Sequence, residues 1–196
     1  LNGYLLINMH IVGYLLYMRY LGRKPNPKWY VPFVLLSIVW AISIHTVTAF
    51  LYCGLAARPF WLTAVLTPRF LASAFAAGPA LLILLSLVMR RLDSFDPGDR
   101  ALSKLARIMA YAMAANLFLF ALELFTSFYS GTPEHMAPWL FLFWSVDGVV
   151  GPVVPWMWLS LALGIASLVM LLRHRTYSNQ TILATAAVMV TSVTSG

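Results

Sequence analysis

Six apolar runs, each about as long as a helix needs to cross a lipid bilayer, constrain this chain more than any other feature. A spanning helix takes roughly 20 mostly apolar residues. The stretches 1–20, 31–56, 68–89, 105–128, 152–172 and 181–195 reach or approach that length. Charged residues make up only 10% of the chain, and its mean hydropathy is +0.82. A soluble domain carries about 25% charged residues, and one of this size could not bury so much apolar side chain. The expectation is an all-α, polytopic transmembrane helix bundle, with 1–196 forming one transmembrane domain. Apolar sequence runs up to both ends, at Leu1 and at Val193–Gly196, so the chain reads as a fragment of a longer protein.

The gaps orient the spans. Arg19, Arg23, Lys24 and Lys28 lie between the first two, and Arg90, Arg91, Arg100, Lys104 and Arg107 lie around the third gap. Arg173 and Arg175 follow the fifth span, so these alternate gaps hold eleven of the 13 Lys and Arg. The other side has only Arg58 and Arg69. Basic loops stay cytoplasmic, so residues 21–29, 90–104 and 173–180 are expected inside, with 57–67 and 129–151 outside. The net charge of +7 is thus a topology signal, not a nucleic-acid patch. The single cysteine, Cys53, excludes an internal disulfide, a CxxC motif and an iron–sulfur cluster held by this chain alone.

Within the outer gap, Gly131, Pro133, Gly148, Gly151 and Pro152 break the chain, yet 138–146 (PWLFLFWSV) is strongly apolar. Nine residues cannot span, which predicts an interfacial or re-entrant segment. The inner gap at 93–99 (DSFDPGD) reads as a polar turn.

Polar groups inside spans are costly and mark candidate sites. His45 lies about 14 residues beyond the inner end of its span, roughly 21 Å up at 1.5 Å per residue. Thr48 and Tyr52 share its helix face. Glu123 lies toward the outer end of the fourth span, with Asn116 and Ser127 extending its stripe. The third span opens with Pro68-Arg69 and carries Ser73 one turn deeper. Each also has a plainer reading. His45 or Asn116 can bond a neighbouring helix for about 1 kcal/mol or less. Glu123, whose ionised form costs several kcal/mol in lipid unless paired, can pair with Arg69. Arg69 can equally snorkel to the interface. Tyr52 and Trp139, Trp144, Trp156 and Trp158 suit an outer aromatic belt. Ala72, Ala76 and Ala80, with Gly78-Pro79 between, suit close helix packing and a kink.

Three chemistries fit these groups. A histidine and a carboxylate near one membrane surface can bind a quinol and accept its protons. They can instead form a proton or ion pathway without redox chemistry. Haem ligation by His10 and His45, on adjacent spans, is the third.

The run from Ser43 to Leu82, with SIHTVTAF and PRFLASAF its most specific parts, resembles the NrfD/PsrC family of membrane quinone-interacting subunits. Its nearest resemblance is to the DsrP-like branch of the sulfite-reduction-associated transmembrane complex. Ala110–Ser130 (AYAMAANLFLFALELFTSFYS) and Val154–Trp158 (VPWMW) extend the likeness. The resemblance implies eight to ten helices in the whole protein and a prokaryotic cytoplasmic membrane location. It implies quinone or menaquinol as substrate, with no haem, metal or iron–sulfur cluster in this chain. It also implies an iron–sulfur, ferredoxin-like partner on the extracytoplasmic face, alongside other membrane or multihaem cytochrome subunits. The chain would then be the quinol-site subunit of an oxidoreductase complex, without catalysis on its own. His45 falls at the family's membrane histidine. The aspartate that some relatives carry on the following helix is absent here, leaving Glu123 to supply the carboxylate. The expected site is His45 and Glu123 for proton handling, with Thr48, Tyr52, Arg69, Ser73 and Asn116 around the head group.

Overall fold

The computed structural model describes residues 2–54, 63–92, 97–146, 149–173 and 179–194. Arg58, Arg175, Gly148 and the 93–96 part of the inner turn lie outside the described residues. The chain divides into two compact units, Leu1–Gly54 and Leu55–Gly196.

The first unit is a helical hairpin of α1 (Asn2–Tyr20) and α2 (Pro27–Cys53). Gly22, at φ 64°, ends α1 in the left-handed conformation that glycine adopts without strain. Its N–H donates to the Arg19 carbonyl at 3.1 Å and that of Arg23 to Met18 at 3.0 Å, closing two otherwise orphaned carbonyls. Asn26 caps α2 by accepting from the Lys28 N–H, and Pro27 occupies the first turn, where a missing N–H costs nothing. The Tyr14 hydroxyl accepts from the Asn26 N–H at 3.1 Å, tying the turn to α1. Further along, His10 packs on Phe33 with ring centroids 4.4 Å apart. A side chain at Gly3 would meet the Trp40 ring.

The second unit contains α3 (Leu66–Arg91), α4 (Asp99–Tyr129), α5 (Pro133–Phe143), α6 (Val154–Leu172) and α7 (Gln180–Thr194). Between α5 and α6 a two-residue antiparallel pair joins β1 (Ser145–Val146) to β2 (Val149–Val150). Otherwise the described chain folds as helix, as expected. The core is built by α3, α4, α6 and α7, through small or slender side chains such as Ala76, Ala80, Ala106, Ala186 and Ala187. Lipid tails are as apolar as leucine, so association depends on close van der Waals approach, which small residues permit. The Ala72, Ala76, Ala80 row is buried, in keeping with its packing role. Gly164 of α6 serves the same end: a Cβ there would sit 3.2 Å from Met113 Cε and 3.4 Å from Leu117 Cδ2.

Four helices, α2, α3, α4 and α6, are long and apolar enough to cross a membrane. The first and last expected spans correspond to α1 and α7, which do not meet both conditions; α7 is apolar but 15 residues long. The count of six is therefore approximate. Helix α4 starts six residues earlier than its apolar run, because Gly98 (φ 80°) turns the chain and Asp99 pairs with Arg90 at 2.9 Å. The apolar outer segment is α5, whose 11 residues extend roughly 16 Å, about half of a bilayer core. Thr132 and Pro133 start it five residues before the apolar stretch itself.

Candidate functional site

Helix α4 buries Leu102, Ala106, Met109, Met113, Asn116 and Glu123. Their spacing of three, four and seven places them on one face. About three turns of apolar packing, Leu102 to Met113, thus lead to two polar residues toward the Tyr129 end. Glu123 is 3% exposed, and its partner is Arg69, in the first turn of α3. Arg69 Nη1 donates to Glu123 Oε2 at 2.5 Å. The guanidinium also lies over the Phe120 ring, 4.9 Å from its centroid. Charge pairing and ring contact together hold an otherwise flexible side chain, which is 28% exposed.

Helix α5 closes over this pair. Phe120 meets Trp139 edge-on at 5.6 Å and Phe143 at 6.1 Å. Trp139 is 2% exposed and donates its indole N–H to Ser127 Oγ at 3.0 Å. Ser127 in turn donates to the Glu123 carbonyl at 2.8 Å. Trp158 donates to the Phe143 carbonyl at 3.0 Å, joining α6 to the cap. Trp139 therefore does not belong to an outer belt, because its one polar atom finds a partner inside. Trp144, Trp156 and Trp158 remain exposed along much of their surface, as a belt requires.

Two turns inward from Glu123, Asn116 is buried and its Oδ1 has no hydrogen-bond partner among the described residues. Leaving such an acceptor unmade costs about 1–3 kcal/mol, so the position calls for a hydroxyl, amide or water donor. Ser73, one turn beyond Arg69, donates to the Thr194 carbonyl of α7 across 3.4 Å.

His45, Thr48 and Tyr52 belong to the first unit and share a face of α2 as their spacing predicts. Thr48 donates to the Ile44 carbonyl at 2.8 Å, a local bond that satisfies its proton. His45 Nδ1 lies 2.9 Å from the Ala41 carbonyl. A carbonyl oxygen can only accept, so in the neutral ring Nδ1 carries the hydrogen and Nε2 the lone pair.

Of the expected residues, the fold brings Arg69 and Glu123 into contact and aligns Asn116 behind them. Phe120, Trp139 and Ser127 complete that cluster. Phe120 was not singled out in the sequence, although it lies one turn before Glu123, and Trp139, expected in the outer belt, turns inward instead. Among the described residues no three His, Cys, Asp or Glu side chains group as metal ligands. The donor set, a guanidinium, a carboxylate and a carboxamide oxygen, suits a ligand bearing hydroxyl or carbonyl oxygens.

Residues 10–195 match the family described as polysulphide reductase, NrfD. No curated protein matches the chain.

Proposed function

Because this chain belongs to the NrfD polysulphide reductase family, whose members are membrane subunits of quinone-linked oxidoreductase complexes, we propose that it carries quinol-site residues of such a complex. It would exchange electrons between the quinone pool and an iron–sulfur partner docked on the extracytoplasmic face. The observation that carries this reading is Glu123, an acid buried in an apolar helix bundle and held by Arg69 beneath an aromatic cap.

Oxidising a quinol removes two electrons and two protons. The electrons would pass, one at a time, to iron–sulfur clusters of the partner. His45 takes one hydroxyl proton on Nε2, the ring nitrogen left open by the Nδ1 bond to Ala41. An imidazole suits the step because its open ring nitrogen can accept a proton and pass it on. In the second unit, Glu123 is the carboxylate proposed to take or relay a quinol proton, through Oε1, the oxygen not engaged by Arg69. Arg69 has further N–H donors for a head-group oxygen, and Asn116 Oδ1 accepts from a hydroxyl or from a water behind it. Thr48 and Tyr52 are the head-group contacts proposed beside His45, and Ser73 the one proposed beside Arg69.

The test is His45→Ala in the native complex, measured as quinol-dependent reduction of the partner's clusters in membranes. A general base contributes about 10²–10⁴-fold in rate, so a loss of that size is expected with assembly retained. Wild-type rates would remove His45 from the mechanism. Ion flux through the protein without quinone would favour a translocation role instead.

A further inference from the structure

Opposite its buried face, α4 presents a second stripe that the quinol site does not use. Arg100, Lys104 and Arg107 fall within about 60° of one another around the helix at 100° per residue, and all three are exposed. Tyr111, Phe118 and Phe125 continue the same face and are 77%, 66% and 61% exposed. The stripe is thus cationic over its first two turns and aromatic over the next five.

The length of α4 places the two parts. Its 31 residues extend roughly 46 Å, matching the 40–45 Å of a bilayer with its headgroup layers. When Tyr129 reaches one headgroup layer, the Arg100 end reaches the other and the aromatic part lines acyl chains. Arg107, the deepest cation, snorkels toward the same layer.

The three charges are unfavourably placed on their own. They repel one another at i+3 and i+4, and Arg100 stands in the first turn, at the positive end of the α4 dipole. Asp99, the acid closest in sequence, is engaged by Arg90, and no ion pair forms to the three cations among the described residues. An anion is what this surface lacks. A phosphate diester matches it, since guanidinium groups bind phosphate oxygens in bidentate fashion, and acyl chains match the aromatic turns that follow.

We propose that this face of α4 is a binding site for an anionic phospholipid, with its phosphate on Arg100, Lys104 and Arg107 and its chains along Tyr111, Phe118 and Phe125. The site is independent of the quinol reading.

The experiment places p-benzoylphenylalanine at position 111 of the complex, in nanodiscs mixing phosphatidylglycerol with excess phosphatidylcholine. After illumination, the adducts are identified by mass. Each cation near an anionic surface shifts partitioning about fivefold. Phosphatidylglycerol adducts should therefore exceed their bulk proportion by roughly tenfold or more when two cations engage one headgroup. In the R100Q/K104Q/R107Q variant the ratio should fall to the bulk proportion. Adducts at the bulk proportion in the unaltered protein would reduce the face to ordinary annular contact and overturn the proposal. Polypeptide adducts in place of lipid would overturn it as well, by showing that another helix covers the face. Enrichment persisting in the triple variant would refute the role of the three cations.

Discussion

Removing either partner of the Arg69–Glu123 pair should have unequal consequences. Arg69→Met leaves the Glu123 carboxylate in place, 3% exposed and without a counter-charge. At charge centres about 4 Å apart and an effective dielectric near 20, the lost attraction is about 4 kcal/mol. Breaking a buried pair from one side generally costs about 3–5 kcal/mol. Loss of the contact over Phe120 adds about 0.5–1 kcal/mol. Glu123→Gln is different. Its amide oxygen still accepts from Arg69, and the guanidinium, partly exposed already, can turn outward to water or headgroups. The expected cost is about 1–2 kcal/mol, the difference between a charge-assisted and a neutral hydrogen bond. Combining Arg69→Met with Glu123→Gln removes the orphaned charge, so the double variant should be more stable than Arg69→Met alone by about 2 kcal/mol. Equilibrium unfolding of the complex-forming protein in mixed micelles measures all three. Equal losses for the two single variants, or strict additivity in the double, would refute the view that a buried carboxylate depends on this arginine.

Three further outcomes follow from the packing and the charge pattern. Trp139→Phe keeps the ring contacts with Phe120 and Phe143 and loses only the bond to Ser127, so it should cost about 1 kcal/mol, against about 3–5 kcal/mol for Trp139→Ala; unfolding of both variants decides whether the indole N–H or the ring volume anchors α5. Gly164→Leu should prevent α6 from docking on α4, while Gly164→Ala displaces only the flexible end of Met113 and should cost under about 1.5 kcal/mol; size-exclusion profiles and unfolding midpoints separate the two. Single cysteines in place of Lys24 and Arg91 should resist an impermeant thiol reagent added outside intact cells, while one at Thr132 should react; outside labelling at Arg91 would reverse the orientation drawn from the basic gaps.

The apolar runs were legible because helix formation in lipid is a local matter. Every backbone group must be satisfied within its own segment, so length and hydropathy alone announce α2, α3, α4 and α6. The caps at Asn26-Pro27 and Gly22 act over only a few residues as well, but hydropathy and length do not register them. The limits of α4 and α5 were less legible. Their ends depend on polar contacts, Arg90 with Asp99 at one and Thr132 ahead of Pro133 at the other, which an apolar count passes over.

The candidate site divides along the same line. Sequence alone determined that Glu123, Asn116, Arg69 and His45 are out of place in apolar helices and on which face of its helix each lies, because helical periodicity follows from residue number. It left Glu123 either paired or free, and it assigned Trp139 to an outer belt. Only tertiary structure decided that Arg69, 54 residues away, neutralises Glu123, that Trp139 turns inward to Ser127, and that Asn116 Oδ1 remains without a partner. Those outcomes depend on which helices lie side by side. Small residues spread over α3, α4, α6 and α7 set that arrangement by letting their backbones approach, and no single segment carries it.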